Sequence, residues 1–302
     1  MRPEKGQSES KPPQDEKPSR SIPLDKAGIL NYKLPLKLIW NDILQETIAT
    51  VSADVEVPKE RRGAHFSKIL SSMILGFGNP GGDIIDMVHR TASNILQENP
   101  YSSKTTVKLE TTYLMPHVAV SGLVSHIPYN FEFSTLIYRS GTCTDSVTLE
   151  TTAMTACPCT MEGTRRILSE RYPEYSVFIQ KVPIITHSQR NRLRVSIRTS
   201  EKCGINPLAL IKSVESVTGG PLISVLPKRD SDEFVVKVHE NPYFVEDLVR
   251  EIAYTLGNDL KGIPGNALLL ISSRSEESLH NHDAYAELEL TMDEIKEKSR
   301  KK

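Results

Sequence analysis

Apolar and polar residues alternate along many stretches of the chain, the pattern of β-strands with one face covered by a core. In the clearest stretch, residues 131–139, Phe131, Phe133 and Ile137 share one face. Such long, half-polar strands are typical of an antiparallel sheet with helices on one side. The pattern predicts strands at residues 47–57, 105–114, 117–127, 131–139, 145–154, 177–185, 190–197, 222–226, 233–238, 267–272 and 284–290.

Apolar residues recur every three or four positions elsewhere, which indicates amphipathic helices. These helices are predicted at residues 84–96, 207–217 and 244–256, and a more polar helix at residues 162–171. The order of strands and helices repeats along the chain without strict β-α-β alternation. We therefore predict an α+β fold made of two similar halves of antiparallel sheet, with helices packed on one face.

Composition sets the expected boundaries and compartment. Residues 1–25 are rich in Lys, Glu, Ser, Gln and Pro and are expected to form a disordered tail, and residues 293–302 a charged tail. A single domain then spans residues 26–292. The formal net charge of −1 gives no global attraction for nucleic acid or an anionic membrane. With no signal peptide and no apolar run near ~20 residues, we expect a cytoplasmic protein.

Two of the four cysteines, Cys157 and Cys159, flank a proline. A disulfide between residues two apart would close a strained ring, and cytosolic thiols stay reduced. We therefore interpret this pair as thiolate ligands or reactive groups, and the isolated Cys143 and Cys203 as small buried residues.

Cations gather in two places. Arg190, Arg192 and Arg194 would point to one face of a strand that begins three residues after His187. Residues 59–68 are also dense in cations. Each cluster is either a solvated surface or part of an anion site.

Several thiol, imidazole and carboxylate groups could bind a metal ion if the fold brings them together. No local motif among them is strong, and His65, His89, His117, His126 and His239 are each interpreted as structural. Mixed ligands would favour a catalytic zinc or ferrous ion with an open position, which lowers the pKa of bound water to ~7. The candidates are Cys157, Cys159, His187, Glu233, Glu277, His280 and His282.

Several ordered blocks of the sequence resemble one enzyme family. They are Ala156-Cys-Pro-Cys-Thr160, His187-Ser-Gln-Arg190, the segment from Asn241 to Arg250, and Glu276-Glu-Ser-Leu-His-Asn-His282. Residues 59–68, containing Arg-Gly-Ala-His-Phe-Ser, resemble the amino-terminal motif of the same family. The family is that of the bacterial type IB GTP cyclohydrolases and their archaeal type IV relatives of the methanopterin pathway.

The resemblance implies a tunnelling fold (T-fold), in which sheets of several subunits join into a barrel with active sites at the interfaces of a homo-oligomer, a dimer or a dimer of dimers. It implies GTP and water as substrates and one ferrous ion per subunit, with zinc or manganese as possible substitutes. It implies metal ligands at Cys157, His187 and Glu277, with Glu233 as a further candidate, and a guanine-binding carboxylate at Glu246. The remaining implied site residues are Cys159 and His280 in catalysis, and Arg62, His65, Arg190 and Arg192 at the substrate.

The resemblance leaves the product open. The long insert at residues 160–186 favours the archaeal type, whose product is 7,8-dihydroneopterin 2′,3′-cyclic phosphate with loss of formate and pyrophosphate. The bacterial type would give dihydroneopterin triphosphate. Two rival functions are an NADPH-dependent nitrile reductase of the same fold and a non-catalytic nucleotide- or RNA-binding protein.

Overall fold

The computed structural model describes residues 12–40, 43–78, 83–118, 122–201 and 204–299. Its eight strands form one antiparallel sheet in which the spatial order equals the chain order. The strands are β1 (Leu24–Trp40), β2 (Ile43–Val57), β3 (Lys104–Val118), β4 (Val124–Tyr138), β5 (Cys143–Ala156), β6 (Ser188–Thr199), β7 (Leu268–Glu276) and β8 (Ala284–Thr291).

The helices lie between these strands and divide the fold into two halves. Two helices separate β2 from β3, and three separate β6 from β7, so each half contains two strands, a group of helices and two further strands; the second half has two additional helices between β5 and β6 and one after β8. The two similar halves predicted from the sequence are therefore confirmed. The helices are α1 (Phe66–Phe77), α2 (Ile84–Glu98), α3 (Pro158–Arg171), α4 (Ser176–Ile179), α5 (Pro207–Val217), α6 (Lys228–Glu240), α7 (Val245–Asp259) and α8 (Met292–Ser299).

The core lies between one face of the sheet and the helices α1, α2, α5 and α7. Alternate residues of β3, β4 and β6 are buried, as the period-two pattern predicts. Phe131 and Phe133 stack with their ring centroids 5.7 Å apart. The side chain of Asp83 accepts a hydrogen bond from the backbone of Ile85 and caps α2. The opposite face of the sheet is polar and carries the exposed members of each alternating pair.

Four predicted strands were wrong. Residues 233–238 belong to helix α6, residues 177–185 contain the short helix α4, and residues 222–226 form no ladder with the sheet. Residues 117–127 run from the end of β3 to the start of β4, and residues 122–123 belong to neither strand. Valines at 235, 236 and 238 suggest a strand, but only Val238 of the three is buried, and Arg229 pairs with Glu233 one helical turn away at 3.1 Å.

The predicted tails are shorter than expected. Residues 1–11 lie outside the described part of the chain, but Pro13–Asp15 form a 3-10 turn and β1 already begins at Leu24. The backbone of Arg62 donates to Glu16 at 2.8 Å, and the Asp15 carboxylate contacts Arg61. At the other end, α8 buries Met292 and Ile295, so residues 292–299 form a packed helix.

Candidate active site

Three of the predicted metal ligands lie at the same end of three neighbouring strands. β5 ends at Ala156, which pairs with Ser188 at the start of β6. Arg190 of β6 pairs with Glu276, the last residue of β7. Cys157 directly follows β5, His187 directly precedes β6, and Glu277 directly follows β7. The register of the sheet therefore brings these three residues to the same end of the three strands.

His187 is the most informative residue at this edge. Both of its ring nitrogens are shielded from solvent and have no hydrogen-bond partner among the described residues. A buried imidazole nitrogen without a partner costs about 1–3 kcal/mol, so such a residue usually has a ligand that protein atoms do not supply. The amide oxygen of Gln189, two residues further on, is also buried without a partner. A divalent metal ion fits the unpaired imidazole.

Cys157 and Cys159 occupy the start of α3. Cys157 is the N-cap residue and is partly buried, whereas Cys159 lies in the first turn and is exposed. Of the two thiols, Cys157 is therefore better placed to be a ligand.

Glu277 and His280 belong to the turn between β7 and β8. Ser275 donates a hydrogen bond of 2.8 Å to the Glu277 carboxylate, which fixes its direction. His280 is exposed, and its ring stacks on that of His282 with centroids 5.2 Å apart.

His239 is a residue of this region that the sequence assigned only a structural role. It is 3% exposed, with Nδ1 2.7 Å from the carbonyl oxygen of Val235 and Nε2 3.2 Å from that of Thr186. Thr186 directly precedes His187, so His239 connects helix α6 to the segment that positions the candidate ligand.

The candidate ligands do not form a compact cluster within one chain. Among the described residues, a group of three potential ligands with their ligand atoms within 4.8 Å of one another is formed by His89, Cys143 and Asp145 instead. Glu233 is instead exposed on α6, where it pairs with Arg229.

The predicted cationic face of β6 is present and is partly neutralised. Arg190, Arg192 and Arg194 are all exposed on the polar face of the sheet. Arg192 contacts Glu276 at 2.9 Å, and Arg194 pairs with Glu150. Arg192 and Arg194 line an open cleft of about 690 Å³ that also contains Arg274 and Tyr285.

The other predicted substrate residues lie on separate elements. Arg62 pairs with Glu16 at 3.1 Å, and His65 contacts Asp15 at 3.1 Å. Glu246 is exposed in the first turn of α7. Within the described residues, no hydrogen bond or ion pair connects Arg62, His65 or Glu246 to Cys157 or His187.

No helix in the described part of the chain is both long enough and apolar enough to cross a membrane.

Comparison with known proteins identifies the family. Residues 13–286 match the family described as "Type I GTP cyclohydrolase folE2". The chain is 34% identical over 285 residues to GTP cyclohydrolase MptA of Thermoplasma acidophilum, covering 94% of this chain and 96% of that protein. It is 31% identical over 274 residues to GTP cyclohydrolase MptA of Thermoplasma volcanium, covering 90% and 92%.

A solved structure confirms the fold class. The uricase of Arthrobacter globiformis superposes with a TM-score of 0.54 at 7% identity, covering 88% of this chain and 93% of that one. At this identity the likeness concerns the fold alone, and it confirms the predicted α+β tunnelling fold. Together with the match over residues 13–286, the relatives show that the chain belongs to the GTP cyclohydrolase family, in its archaeal MptA type.

Proposed function

We propose that this GTP cyclohydrolase hydrolyses GTP at C8 with the help of a divalent metal ion held by Cys157, His187 and Glu277. The products would be formate, pyrophosphate and 7,8-dihydroneopterin 2′,3′-cyclic phosphate, the first step of methanopterin-type pterin synthesis. The single observation that supports the metal most directly is the buried, unpaired imidazole of His187 beside the strand ends that carry Cys157 and Glu277.

The donor set fits ferrous iron, one per subunit, and would also accept zinc or manganese. When bound, such an ion makes water a nucleophile at neutral pH. The chain's own residues orient this centre: Ser275 holds the Glu277 carboxylate, and His239 holds the carbonyl of Thr186 next to His187. Cys159 and His280, both exposed near the strand ends, are proposed to move protons during ring opening.

Substrate binding would use the charged groups on the polar face. Arg190, Arg192 and Arg62 are proposed to contact the triphosphate, for which Arg192 would exchange its present partner Glu276. His65 would lie beside them. The exposed carboxylate of Glu246 would accept two N–H donors from the guanine edge.

We further propose that a second copy of the chain completes the site. The ends of the sheet are the edge strands β1 and β8, whose outer backbone groups are free to pair with another sheet. The residues proposed to bind GTP are spread over β6, α7 and the loop before α1, and among the described residues no hydrogen bond or ion pair joins Glu246 to the proposed metal ligands. A homo-oligomer with sites at its interfaces would bring them together.

The decisive experiment is an anaerobic assay of chelator-stripped protein with GTP, with and without ferrous iron, zinc or manganese. Formate release is followed, and the pterin is identified by mass. We expect metal-dependent formate and a cyclic-phosphate pterin. A triphosphate pterin would replace our product with that of the bacterial type, and the absence of formate with every metal would refute the proposal.

Matched variants locate the reaction. His187→Ala and Cys157→Ser should each lower turnover at least about 100-fold and reduce bound metal. His126→Gln, at an exposed position of β4, is the control and should match the unmodified protein. Full activity in His187→Ala would exclude the proposed centre.

A further inference from the structure

A second group of potential metal ligands lies at the opposite end of β5. The ligand atoms of His89, Cys143 and Asp145 all lie within 4.8 Å of one another. Asp145 and Cys157 are twelve residues apart in sequence, which corresponds to about 40 Å along an extended strand. The two groups are therefore physically separate, and this one plays no part in the proposed reaction.

The fold brings the three side chains together from two elements. Cys143 and Asp145 are two residues apart on β5 and so point to the same face of the sheet. Helix α2 covers that face and contributes His89, whose Nδ1 lies 3.6 Å from the Asp145 carboxylate. α2 belongs to the first half of the fold and β5 to the second, so the cluster spans the boundary between the halves.

Among the described residues, the buried Asp145 carboxylate has a single hydrogen-bond donor. It is 6% exposed and accepts a hydrogen bond of 2.6 Å from Thr135. The nearest nitrogen of His89, at 3.6 Å, is beyond normal hydrogen-bonding distance. A carboxylate can accept about four hydrogen bonds, and a buried charge with fewer partners is costly. A bound cation would supply the missing compensation.

We propose that His89, Cys143 and Asp145 form a second metal site, suited to zinc, that fastens helix α2 to strand β5. Thiolate, imidazole and carboxylate are three typical zinc ligands, and a water molecule would complete a tetrahedron. Zinc–ligand distances of ~2.0–2.3 Å place neighbouring ligand atoms roughly 3.3–3.7 Å apart, so side-chain movements of about 1 Å would close the site. The side chain of His89 is 38% exposed and leaves a path for the ion.

The test uses cobalt(II) as a spectroscopic substitute for zinc, added to the reduced, chelator-stripped full chain. A Cys157→Ser background removes the thiolate of the proposed catalytic centre, and a thiolate-to-cobalt absorption band that is lost on adding Cys143→Ser then reports the second site, because Cys159 and Cys203 are present in both proteins. We expect this band with one equivalent of cobalt per chain, and its displacement by zinc. His89→Gln should weaken binding at least about tenfold, and Cys143→Ser should abolish the band.

Controls separate this proposal from the catalytic one. His126→Gln, exposed on β4, should leave the band unchanged, and zinc should raise Tm in the Cys157→Ser protein and raise it less when His89→Gln is added. Because His89 is partly exposed, its replacement should leave the fold intact. Equal cobalt affinity with and without His89→Gln, or no band in the background protein, would refute the second site and leave an ordinary His–Asp pair. Neither result depends on whether GTP is turned over.

Discussion

Glu215 gives a quantitative prediction about how stability depends on pH. This carboxyl group lies on α5, where it accepts a hydrogen bond from the hydroxyl of Tyr129, and burial raises its pKa from 4.5 to about 7 against the opposing charge of Lys237. Because the pKa is higher in the folded state, folding favours the protonated form. The contribution of Glu215 to the free energy of unfolding is therefore fully present below pH 4.5 and is lost as the pH rises through about 7.

The magnitude follows from the two pKa values. At about 1.36 kcal/mol per pH unit, the difference corresponds to about 3.4 kcal/mol. The side chain is only partly buried, so solvent screening reduces this to about 1.5 kcal/mol. Glu215→Gln keeps the shape of the protonated side chain and an oxygen that accepts the Tyr129 hydrogen bond, but it cannot ionise. The variant should therefore exceed the free energy of unfolding of the unmodified protein by about 1.5 kcal/mol at pH 8, and this excess should be smaller at pH 5.

The assay is urea unfolding at pH 5, 6, 7 and 8. Every sample has the same protein concentration and no metal, so that subunit association and metal binding do not differ between samples. Glu240→Gln makes the same chemical change at an exposed position of α6 and is the matched control. Its difference from the unmodified protein should be the same at pH 5 and pH 8. If the curves for Glu215→Gln and the unmodified protein stay parallel over this range, the burial of Glu215 does not control its ionisation and the reasoning fails.

Three other predictions test positioning and packing. His239→Phe should lower kcat about 10–100-fold with little change in KM, because it frees the carbonyl of Thr186; steady-state kinetics showing normal kcat would contradict this. Gly28→Ala should cost more than about 2 kcal/mol in urea unfolding, since the added Cβ would lie 1.9 Å from the Ala53 carbonyl oxygen. Gly163→Ala on α3, with nothing within 4 Å, should instead gain about 0.5–1 kcal/mol, and losses of equal size at both glycines would refute the steric argument. Leu149→Ala, at a fully buried position of β5, should cost about 2–5 kcal/mol, and a loss below about 1 kcal/mol would show that the core relaxes around it.

The elements predicted best from the sequence are those in which the pattern of apolar residues matches the pattern of burial. β4 and α2 are covered on one side only, so periods of two and of about 3.6 residues appear directly in the sequence. β1 was largely missed because an edge strand tolerates Pro35 and the lysines of its open side, which weaken the apolar signal. α6 was misread because its valines suggest a strand, while its helical state depends on local pairing and on its position outside the sheet.

Only some residues of the candidate site could be predicted from the sequence. Cys157, His187 and Glu277 could be named from the resemblance, and the strand register explains why they gather at one edge. His239 could not be found in this way, because its role rests on a contact with a backbone carbonyl 53 residues earlier. No side-chain pattern in the sequence encodes such a contact. The same holds for the cluster of His89 with Cys143 and Asp145, which exists only once α2 lies across β5.

The agreement between strand order and chain order has a consequence for how the protein is made. Every strand pairs only with the strand before and after it, so each pairing can form as soon as the next strand is made; the longest gap lies between β6, which ends at Thr199, and β7, which begins at Leu268. Strands β1–β4 with α1 and α2 are complete at Tyr138, before the proposed metal ligands Cys157, His187 and Glu277 have left the ribosome. Chains grow at about 5–20 residues per second, and structure can form from the amino terminus onward during synthesis. We therefore expect the first half to serve as a preformed template onto which β5 and the rest of the sheet add strand by strand.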